Sequence, residues 1–312
     1  MMNKIPVFID CDPGADDIMA LLLAMKMPEL DVVGISTVCG NVECEKTFVN
    51  ARKIVALAGE NIPVYKGADT PLFKELVTAA HVHGEDGMRG FASTLPLPET
   101  EPQEDKAWDA LYKEAKAHPG ELVLVAVGPM TNVAIALSKY KELPSLLKQI
   151  VIMGGSVSWG NVTPAAEFNI YVDPEAAEMM FKCGTPICMF GLDVTEKAVI
   201  LPEEVEEIGK FQSEPAKLFS ALINKAMVFY FEHGHAGACL HDPCAVMYLA
   251  YPELFKGKTA GVCVESKGRI TRGKTVCDMF TDVKFPFVNT LVMTDVNRKE
   301  FIKKVIEIIA RY

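Results

Sequence analysis

Basic residues are the first shortage. The 312-residue chain carries 31 Lys and Arg against 41 Asp and Glu, a formal net charge of −10. A surface that tracks phosphate backbones needs clustered cations, so this balance excludes nucleic acid as a partner. No apolar run reaches membrane-spanning length. The chain enters a strand-like segment at Ile5 without a basic leader or cleavage site, so neither a membrane span nor a signal peptide is expected. Nine cysteines, an odd number without a Cys-x-x-Cys pair, exclude a disulfide framework and suit a cytoplasmic location. Neither a Gly-x-Gly-x-x-Gly turn nor a P-loop lysine follows any strand-like segment. Repeats, low-complexity tracts and linker-like composition are also missing, so residues 1–312 are expected to form one domain, with Pro-rich loops at 61–73 and 94–103.

What is present in excess is acid at one place. Asp10, Asp12, Asp16 and Asp17 fall within eight residues, between an apolar strand-like run, Ile5 to Ile9, and a helix-like run, Ile18 to Met27. Pro13 and Gly14 bend the chain between them. A helix N-terminus offsets roughly 0.3–1 kcal/mol per charge, too little for four carboxylates, and capping accounts for one or two aspartates at most. A divalent cation is the more economical explanation.

Strand-like and helix-like segments alternate through most of the chain. Strands are predicted at Val32–Val38, Leu122–Val127, Ile150–Met153 and Pro186–Phe190, and helices at Glu45–Ala58, Thr131–Leu137, Pro174–Phe181 and from Glu203 onward. This is the pattern of an α/β fold, an open, mostly parallel central sheet with helices on both faces. Beyond it, Gly261–Glu265, Gly268–Phe280 and Val288–Met293 read as strands with hairpin turns, and Asn297–Ala310 as a closing helix. Ligands of such sheets bind at the carboxyl ends of the strands. The residues there are Asp10 to Asp17, Gly40-Asn41, Val127-Gly128-Pro129, Gly154-Gly155 and Asp193, which suit metals and hydroxylated ligands better than phosphates.

Three other segments stand out. Asn161, Glu167 and Asn169 group short polar side chains as a sugar requires, although an ordinary polar loop has the same look. His241-Asp242-Pro243 precedes an apolar helix that Asp242 alone would suffice to cap. His81-Val82-His83-Gly84 lies in a loop of about 20 residues, long enough to close over a site. His233, His235, Cys239, His241 and Cys244 crowd twelve residues, but Cys-x4-Cys without a second matching pair argues against structural zinc.

Taken in order, Asp10-Cys11-Asp12-Pro13-Gly14-Ala15-Asp16-Asp17, Thr37-Val38-Cys39-Gly40-Asn41, Gly128-Pro129-Met130-Thr131-Asn132, Met153-Gly154-Gly155, Ala166-Glu167-Phe168-Asn169 with Asp173-Pro174-Glu175-Ala176-Ala177, and His241-Asp242-Pro243-Cys244-Ala245 resemble the blocks of the nucleoside hydrolases of the inosine-uridine-preferring type. The blocks span about residues 5 to 250. The resemblance implies a Rossmann-like fold and Ca²⁺-dependent cleavage of the N-glycosidic bond of ribonucleosides, in salvage or catabolism. It implies calcium held by Asp12, Asp17, Asp242 and the Val127 main-chain carbonyl, with Asp12 taking the proton of the attacking water. Ribose hydroxyls would fall to Asp16, Asn41, Asn161, Glu167, Asn169 and Asp242, with Phe168 packed on the sugar. His241 is implied as the acid for the departing base and His83 as a base-side residue. Members are usually homodimers or homotetramers. Tyr230, His233 and His235 mark the base-facing region and leave the preferred base open.

Two rivals were weighed. Haloacid-dehalogenase phosphatases also end a first strand in Asp-x-Asp but require Thr or Val where this chain has Gly14. A non-catalytic ribose or nucleoside binder has no need of Asp12, Asp17, Asp242 and His241 together.

Overall fold

The computed structural model describes residues 4–96, 98, 101–280, 285 and 287–312. Eight strands form one sheet: β1 (Ile5–Cys11), β2 (Leu30–Thr37), β3 (Val64–Lys66), β4 (Val123–Ala126), β5 (Gln149–Met153), β6 (Ile187–Phe190), β9 (Phe255–Ala260) and β12 (Thr290–Val296). Two minor pairs are β7 (Val199–Ile200) with β8 (Ala238–Cys239) and β10 (Val262–Val264) with β11 (Thr275–Cys277). The main order is β3-β2-β1-β4-β5-β6-β12-β9, every pairing parallel except β12–β9. Alternation along the central strands fills two cores. Val7, Ile9 and Cys11 of β1 enter one, with Val151 and Met153 of β5, while Phe8, Ile150 and Ile152 enter the other. The predicted α/β sheet, covered on both faces, is therefore present.

The helices that position the site are α1 (Ala15–Lys26), α2 (Cys44–Leu57), α3 (Ala80–His83), α4 (Ala107–Ala117), α5 (Thr131–Lys139), α6 (Leu143–Leu146), α7 (Phe168–Val172), α8 (Pro174–Phe181), α9 (Leu192–Thr195), α10 (Pro202–Ile208), α11 (Glu214–Glu232) and α12 (His241–Tyr248), with α13 (Arg298–Ile309) closing the chain. Among the described residues, no helix is long and apolar enough to cross a membrane.

Several boundaries differ from the sequence reading. β1 runs on through Asp10 to Cys11, and α1 begins at Ala15, so Asp16 and Asp17 occupy its first turn. The loop expected at 61–73 contains β3; of the 94–103 loop, residues 97, 99 and 100 lie outside the described set. The strand expected over Gly268–Phe280 shrinks to Thr275–Cys277, while Val288–Met293 shifts to β12 and joins the main sheet. β9 went unread because it is an edge strand. Its four central residues, Lys256 to Thr259, are exposed, and its two lysines serve as the usual guard of an open edge.

The chain order reverses between β1 and β4, the switch point where open sheets bind ligands. One side chain fastens this point. Asn132 Nδ2 donates to Asp10 Oδ1 at 2.7 Å and to the Thr37 carbonyl at 3.0 Å, and its Oδ1 accepts from the Ala68 amide at 2.9 Å. Ser36 Oγ also donates to Asp10 Oδ1. Asn132→Ala would strand a buried amide, carbonyl and carboxylate, so urea unfolding should show a loss of about 2–4 kcal/mol. An unchanged midpoint would mean the three chain ends hold themselves.

Candidate active site

A cavity of about 510 Å³ opens at the carboxyl ends of β1, β4 and β5. It is lined by Asp16, Asn41, His83, Val127, Asn161, Glu167, Phe168, Asn169, His241 and Asp242, so of the residues to which the family resemblance gave a role only Asp12 and Asp17 are outside its lining. Those two are fully buried beside it, at 0% exposure.

Asp12 is wedged by backbone. A Cβ on Gly40 would lie 2.1 Å from its Oδ2 and one on Gly128 2.7 Å from its Oδ1, so both positions require glycine. Oδ2 accepts from the Asn41 amide at 2.6 Å, while Oδ1 is buried with no hydrogen-bond partner. Asp17 folds back to accept from the Asp12 and Gly14 amides, each at 3.0 Å, and from Asn41 Nδ2 at 3.1 Å. Asp16, Asp17 and Asp242 bring one carboxylate oxygen each to within 4.8 Å of one another. Asp242 does not cap α12: it sits in the first turn, behind an N-cap at Leu240 that makes no side-chain bond. Its carboxylate is thereby left for the site.

Burial, then neighbouring charge, pushes these carboxyls up. Asp17 rises to about 7 through burial and next through Asp16. Asp12 rises well above the usual carboxylate range through burial and then Asp17, and Asp242 through burial and then Asp16. A set of buried oxygens that resists ionisation, one of them without a partner, fits a hard divalent cation. Soft-ligand zinc does not fit: His235 Nδ1 and Cys239 Sγ lie 3.8 Å apart, yet the aspartates are the only metal-ligating group of three among the described residues.

The remaining polar residues divide. Asn169 Nδ2 donates to the Val127 carbonyl at 2.7 Å and to Met153 O at 3.0 Å, and the residue lines the cavity. Glu167 caps α7, accepting from the Asn169 and Ile170 amides, and from the Gly155 amide at 2.8 Å; burial raises it to about 7. Asn161 Oδ1 accepts from the Phe168 amide at 3.0 Å. Asp193, expected after β6, holds the Val157 and Ser158 amides instead of lining the cavity.

The opposite wall is built of rings. His241 Nε2 lies 2.9 Å from the Tyr230 hydroxyl and its Nδ1 2.8 Å from Thr195 Oγ1. Burial lowers its pKa, so the imidazole is neutral at pH 7. His83 Nδ1 accepts from the Ala15 amide at 3.0 Å, at the N-terminus of α1.

Comparison with known proteins decides what this arrangement is. The family model for inosine-uridine preferring nucleoside hydrolase matches residues 7–303. The chain belongs to the nucleoside hydrolases. It is 45% identical over 310 residues to the pyrimidine-specific ribonucleoside hydrolase RihA of Photobacterium profundum, covering 98% of this chain and 99% of that one. The RihA of Citrobacter koseri is 43% identical over 312 residues, covering 99% of both. Among solved structures, a plant nucleoside hydrolase superposes with a TM-score of 0.93 at 34% identity, covering 99% of this chain and 100% of that one. The purine-preferring ribonucleoside hydrolase from Gardnerella vaginalis does so with 0.92 at 30%, covering 98% of each. This nucleoside hydrolase is thus a ribonucleoside-hydrolysing enzyme with the predicted fold.

Sequence reasoning did not find three residues of this nucleoside hydrolase's cavity region. Thr195 carries no sequence signal, because only the fold brings α9 to α12. Arg89 and Glu196 line the cavity from loop and cap positions that no periodicity marks. The His83 environment yields a pH expectation. Burial lowers His83 from 6.5 to about 4, so the unfolded chain binds its proton first on acidification. The stability it contributes is full above pH 6.5 and is lost as pH falls toward 4. His83→Gln should flatten the stability–pH curve in that window, and an unaltered slope would contradict a neutral His83.

Proposed function

We propose that this nucleoside hydrolase is calcium-dependent and acts on pyrimidine ribonucleosides, releasing free base and ribose in nucleoside salvage or catabolism. The observation that carries the reading is the group of half-buried Asp16 with buried Asp17 and Asp242, beside a cavity whose walls offer Asn41, Asn161, Glu167 and Asn169. Asp12, Asp17, Asp242 and the Val127 carbonyl would hold the ion, and the grouping of Asp16 with Asp17 and Asp242 supports a role for Asp16 between ion and ribose. Calcium, when bound, keeps these carboxylates ionised and acidifies a water molecule. The pyrimidine preference follows the two relatives named pyrimidine-specific, which are more similar to this chain than the purine-preferring enzyme is.

Asp12 Oδ1, the buried oxygen without a partner, accepts the proton of the attacking water. The carboxylates at the floor stabilise the positive charge that grows on the ribose ring as the bond lengthens, more than they stabilise neutral substrate. Phe168, in an apolar group with Ala79 and Val172, packs against the sugar and excludes solvent. His241 and the Tyr230 hydroxyl form the proton path to the departing base, with Thr195 holding the far nitrogen. His83 stands on the base side. One domain over 1–312, a homodimer or homotetramer, a cytoplasmic location and no nucleic-acid or membrane partner complete the proposal.

Uracil release from uridine and 2′-deoxyuridine tests the sugar assignment. Removing one hydroxyl leaves buried polar groups unpaired, and the loss can reach about 10⁴-fold. Equal turnover of the two would refute it. His241→Ala should lose about 10²–10⁴-fold with uridine but keep most activity on nitrophenyl riboside, whose leaving group needs no proton. A parallel loss on both would mean that His241 only positions the ligand.

A further inference from the structure

Arg89 is the one non-glycine residue at positive φ among the described residues, at 52°. A side chain there is strained, and the surroundings impose it: its amide donates to the His83 carbonyl at 2.7 Å, and its own carbonyl accepts from Lys225 Nζ at 2.5 Å. The result is a guanidinium on the cavity wall beside His83 and Tyr230. Arg272 and Arg298 are paired with Glu175 and Glu204, but Arg89 has no carboxylate within ion-pair distance among the described residues. Its one hydrogen bond there, to the Lys225 carbonyl, is long at 3.4 Å, and its Nε is buried without a partner. Asp16 acts on Arg89 through space without an ion pair, and a cation kept at a strained backbone in the cavity lining, with a buried donor left unpartnered, is arranged for a ligand.

We propose that Arg89 recognises the pyrimidine base, its guanidinium bonding the carbonyl oxygen O2 beside the scissile bond and holding the charge the base gains as it departs. This rests on the pyrimidine ribonucleoside reading above. The ring carbon C1′ loses N1 and gains the water oxygen; the electron pair of the C1′–N1 bond passes to the base; one proton of the water goes to Asp12, and the base takes one proton through the Tyr230 hydroxyl and His241, which solvent resupplies. In a pyrimidine that electron pair spreads from N1 onto O2, one carbon away. A purine has no oxygen on the carbons flanking N9, so the same donors find less to bind. Arginine stays protonated, so Arg89 acts as a fixed charge and not as the acid. Carboxylates at the ribose and a guanidinium at the base match the opposite charges that separate during cleavage.

Arg89→Asn and Arg89→Gly test this without endangering the fold, since both residues tolerate positive φ. Thermal unfolding verifies that they fold. Relative to nitrophenyl riboside, kcat/KM for uridine and cytidine should fall about 10–10²-fold, and Arg89→Lys should recover part of it. Equal losses on nucleosides and nitrophenyl riboside would overturn the proposal and leave Arg89 a loop-shaping residue, as would no loss on either. If the parent chain hydrolyses no nucleoside, the hydrolase reading fails by itself. Equilibrium binding of uracil then decides on Arg89: weaker binding by Arg89→Asn upholds base recognition, and equal binding overturns it.

Discussion

Buried negative charge at the junction of β1 and β4 is the constraint around which the molecule is arranged. Asp12 and Asp17 are fully buried, Asp242 nearly so, and Asp16 stands at the cavity edge. Bringing such groups together out of water is costly unless a cation or hydrogen bonds compensate. Much of the nearby chain supplies the hydrogen bonds. Asn41 serves both Asp12 and Asp17, Gly14 and Asp12 offer amides to Asp17, and Gly40 and Gly128 clear the space in which Asp12 fits. Of the Asp12 and Asp17 carboxylate oxygens, Asp12 Oδ1 alone is left without a donor, and that remainder is what calls for an ion.

The cavity extends this constraint into a gradient. Its floor is acidic, its middle is amide and capped carboxylate, and its far wall is imidazole, phenol, the Arg89 guanidinium and the Glu196 carboxylate. Burial holds the pKa values of His83 and His241 down and that of Tyr230 up, so the charged side chains there are Arg89 and Glu196, the latter accepting from Trp159 Nε1. A reaction that makes the sugar positive and the base negative finds each developing charge opposite its complement. Selectivity for the transition state over a neutral nucleoside follows from placement more than from the number of contacts.

How much of this was legible in the sequence depends on how local each signal is. The central strands and the acidic turn are local: apolar runs of strand length, and four aspartates around Pro13-Gly14. The rule that ligands gather after the strands then collected Asn41, Val127 and the Gly154 loop. Where a residue's partner is far along the chain, the sequence was silent. Thr195 meets His241 only because α9 and α12 pack together, and Arg89 owes its position to a backbone φ that composition does not reveal. Capping was not legible. Asp242 stands where a cap could stand and makes no cap bond, whereas Glu167, read as a ribose ligand, is tied to three amides. Side-chain oxygen near a helix start serves equally well in either role, and only the turn geometry selects.

The central claim is that the carboxylates of the β1–α1 turn and Asp242 form a cation site. Calcium titration of the metal-stripped protein by calorimetry tests it most directly. The account predicts one ion bound per chain, with a rise in unfolding temperature, and loss of both in Asp17→Asn and Asp242→Asn. Failure of the parent protein to bind calcium, or binding that survives both substitutions, would contradict it.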